Sequence, residues 1–156
     1  MGFVAIYDAN VLYPNTVRDL LIRIAQSGLV QAKWTDLIVD EMIRNLSANR
    51  PGIPAGKLDR LRALMEGSVR DWKVSGFEPL IDSVDLPDPD DRHVLAAAIR
   101  AKAQMIVTFN LRDFPAEKLA PWNLEAKHPD AFVQAQIDLD PGGCVRDRAA
   151  NSRQLA

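Results

Sequence analysis

The sequence predicts an α/β fold, with helices packed around a mainly parallel sheet. Three observations carry that reading. Phe3-Val4-Ala5-Ile6-Tyr7 and Met105-Ile106-Val107-Thr108-Phe109 are nearly continuous apolar runs rich in β-branched and aromatic residues, as strands covered on both faces are. The segments between them carry apolar residues at i, i+3, i+4 and i+7, the period of amphipathic helices. Strands alternating with helices lead to helices layered on a parallel sheet.

The elements follow in order. The first run ends at Asp8. Pro14 and Asn15 open a helix with Val17, Leu20, Leu21 and Ile24 inward and Gly28 placed as its C-cap. Thr35 suits the N-cap of a second helix, with a stripe of Ile38, Val39, Met42, Ile43 and Leu46. Two prolines and two glycines between Ala48 and Gly56 make a loop. Leu58, Leu61, Leu64 and Met65 mark a third helix. Residues 72–79 fit no single element, and Leu80 to Asp91 reads as loop. A helix starts near Asp91 with Val94, Leu95, Ala98 and Ile99 inward. After the Met105–Phe109 strand come a short helix from Ala116 to Ala120, a short edge strand from Leu124 to Lys127 and a last helix from Asp130 to Ile137. Residues 1–140 are expected to form one domain. Residues 141–156, after Pro141-Gly142-Gly143, are expected to be a loose polar tail.

Composition excludes several classes. The chain has 156 residues, 47% hydrophobic and 26% charged, which suits one globular domain. No apolar run reaches the ~20 residues of a membrane span, so no membrane partner is expected. The opening MGFVAIYDAN lacks a basic segment and is not expected to act as a signal peptide. A single cysteine, Cys144, excludes a disulfide framework and a cysteine-based zinc site, and a reducing cytoplasm is the expected setting.

The formal net charge of −2 argues against nucleic-acid binding by bulk charge alone, but the charges are unevenly placed. From Arg44 to Lys73 there are seven bases and three acids; from Glu78 to Asp91 there are six acids and no base. Each block alone also suits a solvated helix face or a polar loop.

The acids gather where a parallel sheet binds its ligands. Asp8 lies just past the carboxyl end of the first strand; Asn110 and Asp113 lie just past that of the Met105–Phe109 strand. Ligands of open α/β sheets sit beyond those ends. Asp91 starts the helix that feeds the second strand and reaches the same edge. Glu41 stands on the rim of the second helix's apolar stripe. Asp8, Glu41, Asp91 and Asp113, with Asp88, Asp90 and Asn110 near, thus form a candidate cluster. Crowded carboxylates need a compensating cation, and oxygen donors without His or Cys suit Mg²⁺ or Mn²⁺. Such ions commonly serve phosphoryl transfer. Singly, each acid has a plainer reading: Asp8 as a strand-end cap, Glu41 as a surface residue, Asp88, Asp90 and Asp91 as turn or N-cap residues, Asp113 as a helix cap.

The segments VAIYDANVLYP, TDLIVDEMIRNL and DPDDRHVLAAAIRAKAQMIVTFNLRDFP, in this order, resemble PIN-domain ribonucleases, including the VapC-type toxins of bacterial toxin–antitoxin pairs. They span residues 3 to 115. The resemblance implies a three-layer α/β/α sandwich and a Mg²⁺- or Mn²⁺-dependent endoribonuclease. Its acids map to Asp8, Glu41 and Asp91, with Asp90 adjacent. Many relatives carry an Asp directly after the strand where this chain has Asn110, which makes Asp113 the acidic partner there and leaves one or two metals open. Thr108 and Asn10 match the family's polar residues beside the site. The resemblance further implies an RNA substrate, an antitoxin partner covering the acidic groove and a homodimer. Arg44, Arg50, Lys57 and Arg60 are the candidates for the RNA backbone.

Two rivals have their own signals. A phosphatase with an aspartyl nucleophile needs a second Asp two residues after the first, where this chain has Asn10. A catalytically inactive PIN-like module that binds RNA or protein is favoured by Asn110. His93 is expected as a packed or capping histidine, and Trp34, Trp72 and Trp122 as core or rim residues.

Overall fold

The computed structural model describes residues 3–139, so the expected tail at 141–156, with Cys144, lies outside the described residues. Four parallel strands form one sheet in the order β2-β1-β3-β4. They are β1 (Phe3–Tyr7), β2 (Val30–Lys33), β3 (Met105–Val107) and β4 (Glu125–Lys127). Ala5 sits opposite both Ala32 of β2 and Met105 of β3, so the middle of β1 is the centre of the sheet. Ala5, Ile6, Tyr7 and all three β3 residues are buried, as the continuous apolar runs require.

Helices flank the sheet: α1 (Ala9–Leu12), α2 (Asn15–Gln26), α3 (Asp36–Asn49), α4 (Ala55–Ser68), α5 (Glu78–Ile81), α6 (Arg92–Arg100), α7 (Ala116–Leu119) and α8 (Pro129–Asp138). Helix α6 packs on β1, β3 and α5, whereas α2 packs on β2, α4 and α8. The α/β architecture expected from the sequence is present. Among the described residues, no helix is long and apolar enough to cross a membrane.

Strand β2 and helices α1 and α5 escaped the sequence reading; α5 is a single turn opened by Glu78-Pro79 that takes in Leu80 and Ile81, which read as loop. Strand β2 is the four-residue run VQAK, alternately buried and less buried, because it sits towards one side of the sheet. Its apolar–polar alternation has the strand period, but four residues are too few for that pattern to stand out from a loop. Helix α1 has four residues and depends on a cap, the Asp8 side chain accepting from the Ala9 N–H at 2.8 Å. The second apolar strand is also shorter than expected. It stops at Val107, and Thr108 and Phe109 lie beyond it. The ambiguous stretch near Trp72 extends the sheet by one bridge: Trp34 N–H donates to Trp72 O, and Val74 N–H donates to Trp34 O.

Thr35 caps α3 as expected, its hydroxyl accepting from the Ile38 N–H at 3.1 Å. Gly28 lies two residues past the end of α2 with φ +88°, a left-handed conformation that glycine adopts without a Cβ penalty.

The core is organised by rings. Trp34 is fully buried and stacks between Tyr7 and Trp72, with centroids 6.4 and 5.4 Å away. Phe132 of α8 meets Tyr7 edge-on at 6.0 Å, and the Tyr7 hydroxyl donates to Leu21 O at 3.0 Å. These contacts join α2 and α8 to the sheet.

Arg62 of α4 ties α4 to α3. Its guanidinium pairs with Asp40 at 2.6 Å, Asp36 at 3.2 Å and Glu66 at 3.4 Å, while Lys73 also reaches Asp36 at 3.1 Å. These charges are partly exposed, so solvent and salt weaken them. Arg62→Met is expected to lower stability by about 1 kcal/mol at low salt and by less at high salt. Urea titrations at two ionic strengths check this; a loss that does not shrink with salt refutes the electrostatic account.

Candidate acidic site at the switch point of the sheet

From β1 the chain crosses to β2 on one side, and from β3 it crosses to β4 on the other. The neighbours β1 and β3 are therefore the switch point, and a crevice opens beyond their carboxyl ends. Asp8 follows β1 there, and Thr108, Asn110 and Asp113 follow β3.

Asp8 is only 4% exposed, and its carboxylate is held on both oxygens. Oδ1 accepts from Ala9 N–H at 2.8 Å; Oδ2 accepts from the Thr108 hydroxyl at 3.0 Å and from Asn10 Nδ2 at 3.3 Å. Asn10 uses its whole amide. Nδ2 also donates to Thr108 Oγ1 at 3.0 Å, and Oδ1 accepts from Phe109 N–H at 3.0 Å. The Thr108 hydroxyl also accepts from Asn110 N–H at 3.1 Å. Thr108 and Asn10 thus hold Asp8 in place, and Asn10 has no capacity left for proton transfer. The plainer reading of Asp8 as a cap is also correct, since the same carboxylate starts α1.

The electrostatics bring the sequence-picked acids together. Burial pushes the Asp8 carboxyl up to about 6; the bonds from Ala9 and Thr108 oppose the rise, Glu41 adds to it and His93 reduces it. Asp91 is pushed up to about 7, first by burial and then by the charges of Asp8, Asp88, Asp113 and Glu41. Asp8, Glu41 and Asp113 all act electrostatically on Asp91, so the four acids share one neighbourhood. Among the described residues, no three of them close on a point as a ready-made metal cage.

The remaining picks are placed as follows. Asp91 is half-buried at the N-cap of α6. Asp90 is exposed, its N–H donating to Asp88 Oδ1 at 2.9 Å in a 3₁₀ turn over Pro89–Asp91. Asp113 closes the 3₁₀ turn Leu111–Asp113. His93, in the first turn of α6, sets Nε2 3.9 Å from Glu41 Oε1 and leaves Nδ1 buried without a hydrogen-bond partner among the described residues. Trp34 and Trp72 belong to the core, whereas Trp122 is exposed beside Ala98, Lys102 and Gln104, ahead of β3 and away from the acids.

The basic candidates lie on α3, the loop after it and α4. Arg44 is exposed one turn past Glu41. Arg50, Lys57 and Arg60 join Arg18 around a groove of about 380 Å³ over Leu58 and Leu61. Gln26 Nε2 donates to Ser68 O at 3.1 Å where α2 and α4 end, and Asn15 and Lys57 share the groove where they begin. The two helices are thus parallel. The groove opens at their N-terminal ends, on the side where α1 starts from Asp8. Arg62 and Lys73, by contrast, are engaged by acids.

One residue at the crevice was missed. Phe109 is 36% exposed, although it ends an apolar run that reads as core. Its exposure follows from the strand stopping two residues earlier.

A parallel four-stranded sheet with a buried, doubly held Asp at its switch point and further acids near it is an α/β fold with an acidic site. The sequence model of the family described as PIN domain matches residues 5–112, and the chain belongs to that family. Over 49 residues it is 55% identical to "Putative ribonuclease VapC50" of Mycobacterium tuberculosis (strain ATCC 25618 / H37Rv). That stretch is 31% of this chain and 29% of the relative, so the match spans less than a third of either.

Proposed function

We propose that this chain is a divalent-metal-dependent endoribonuclease. The observation that carries the reading is the buried Asp8, held by Thr108 and Asn10 and facing Glu41, Asp91 and Asp113 at the sheet's switch point. Carboxyls raised by burial, and at Asp91 also by the charge of neighbouring acids, call for a cation, and an all-oxygen donor set suits Mg²⁺ or Mn²⁺. Asp8, Glu41, Asp91 and Asp113 hold the ion, with Asp90 and Asn110 at the margin. Bound there, it supplies positive charge against a phosphodiester and acidifies a water at neutral pH. Asp8 contributes a fixed position, because Thr108 and Asn10 prevent its rotation. Arg44, Arg50, Lys57 and Arg60 hold the RNA backbone as it leaves the crevice. No side-chain nucleophile is required.

The toxin of a toxin–antitoxin pair is the setting that fits the VapC-named relative, with an antitoxin over the acidic crevice, a homodimer and a cytoplasmic location. A second reading, an inactive RNA- or protein-binding module, is favoured by Asn110 replacing an acid and by the open spacing of the carboxylates.

Thermal denaturation with and without Mn²⁺ separates the two. The nuclease reading expects a rise in Tm that saturates with metal and is lost in Asp91→Asn, together with Mn²⁺-dependent cleavage of structured RNA. No metal-dependent rise and no cleavage assign the chain to the inactive module.

A further inference from the structure

The loop after β3 carries a surface that the acidic site does not use. Phe109 is 36% and Leu111 43% exposed, side by side with the carboxylates. Isolated exposed apolar residues are ordinary on protein surfaces. This pair differs because Phe109 is held in position. Its N–H donates to Asn10 Oδ1 at 3.0 Å, and the same Asn10 amide donates to Asp8 Oδ2 at 3.3 Å. One side chain therefore sets the spacing between the aromatic ring and the buried acid. The ring packs edge-to-face on His128, centroids 5.2 Å apart at 80°. His128 is itself fixed as the N-cap of α8, its Nδ1 accepting from Asp130 N–H at 3.1 Å.

Phe109, Asn110, Leu111, Arg112 and Asp113 line a cleft of about 430 Å³. The cleft lies next to Asp8 through Asn10, which bonds both the Phe109 N–H and the Asp8 carboxylate. Arg112 is exposed and has no ion pair or hydrogen bond among the described residues. A flat ring, an apolar neighbour, an amide and an unengaged guanidinium within five residues match one nucleotide: a base for the ring, a phosphate for the guanidinium.

We propose that Phe109 is a stacking platform for an unpaired base of the RNA strand beside the scissile phosphate, with Arg112 holding an adjacent phosphate. This rests on the ribonuclease reading of the crevice and specifies its substrate. A duplex keeps its bases stacked and out of reach, so the substrate is a single strand or a loop. The platform selects for an unstacked base and tolerates several base identities, because every base offers a π-face.

The test uses the full chain and single-stranded oligoribonucleotides carrying 2-aminopurine at one position at a time, with Ca²⁺ in place of Mg²⁺ and gels confirming that the RNA stays intact. The parent is expected to quench the probe at one position. Phe109→Ala removes that quench and weakens binding roughly tenfold, whereas Phe109→Tyr keeps both. In Mn²⁺, Phe109→Ala raises KM more than it lowers kcat. Phe109 is 36% exposed and packs on His128, so the Ala variant is expected to lower Tm by only a few degrees, and a large fall in Tm assigns the ring to packing and overturns the proposal.

No quench with the parent, or an equal quench in Phe109→Ala, overturns it as well and leaves the patch as a protein-binding surface. The two readings fail separately. A Phe109-dependent quench without metal-dependent cleavage keeps the platform and rejects the nuclease. Cleavage that Phe109→Ala does not change keeps the nuclease and rejects the platform.

Discussion

Asp8→Asn is expected to reduce RNA cleavage by roughly two to three orders of magnitude while making the metal-free protein more stable at neutral pH. The two effects have one cause. The Asp8 carboxyl is buried at 4% exposure and pushed up to about 6, so its ionised form is disfavoured in the fold. In the unfolded chain an aspartate titrates near about 3.9. A carboxyl raised on folding binds more protons in the folded state between those values. Stability contributed by this group is therefore full at low pH and lost as pH rises through the folded value of about 6. Asp91, pushed up to about 7, acts in the same direction over a window one unit higher. The metal-free parent should thus lose stability between about pH 4 and pH 7, less any loss shared with other groups.

Asn at position 8 keeps an oxygen to accept from Ala9 N–H but carries no charge, so it removes this penalty, by an amount on the order of 1–3 kcal/mol. It also turns an acceptor towards a donor where Thr108 and Asn10 now donate, which sets the lower end of the range. Denaturation across pH with EDTA, beside a cleavage assay with Mn²⁺, measures both effects. A variant that cuts RNA at the parent's rate removes Asp8 from the site. A variant destabilised at every pH shows that Asp8 serves the fold through its bonds more than it strains it.

Trp34→Ala is expected to cost about 3–5 kcal/mol, the range for emptying a buried aromatic site. For a chain of this length that is a fall in Tm of roughly 10 °C. Trp34 is fully buried between Tyr7 and Trp72 and carries the bridge to residues 72–74, so its removal leaves a void flanked by two large rings. Its Nε1 has no hydrogen-bond partner among the described residues. Trp34→Phe therefore sacrifices no bond and should cost about half as much or less.

The consequence reaches the acidic site, because the next residue, Thr35, caps the helix that carries Glu41. Trp34→Ala should lower the affinity for Mn²⁺ as well as stability, whereas Arg62→Met should affect stability alone. Differential scanning calorimetry and metal titration of both variants check this. A loss below about 1 kcal/mol in Trp34→Ala means that the stacked trio does not anchor the core.

The legible parts of this molecule are those with a strong local signal. Phe3–Tyr7 and Met105–Val107 are buried strands because uninterrupted apolar residues leave no polar face for solvent. Helix α6 follows from Val94, Leu95 and Ala98, all buried, and α3 from Thr35 and its stripe. Asp8 and Asp91 stood out because they follow a strand and open a helix, and Glu41 because it sits on the rim of a helical stripe. Strand β2, helix α1 and the short reach of β3 were not. Strand β2 depends on pairing with β1, distant in sequence, and the end of β3 on where β4 stops pairing at Lys127, while α1 is a single turn held by the neighbouring Asp8 cap and too short to show a period.

The basic block divides in a way that charge counting does not anticipate. Arg62 and Lys73 look like Arg60 and Lys57 in the sequence, but Asp36 and Asp40 engage the first pair, while the second pair borders the groove. Phe109 was assigned to the core because apolar character alone does not say where a strand ends.

The sequence by itself determined the α/β class, the order of its main elements and which carboxylates stand at strand and helix ends, because local periodicity and capping chemistry act over a few residues. Only the tertiary structure decided that Asp8 is buried and held by residues about a hundred positions away. It also placed Glu41 and Asp113 within reach of Asp91, and left an aromatic ring exposed at the crevice. Those outcomes depend on strand order and on the charge and dielectric around each group, which arise only when distant segments share one space.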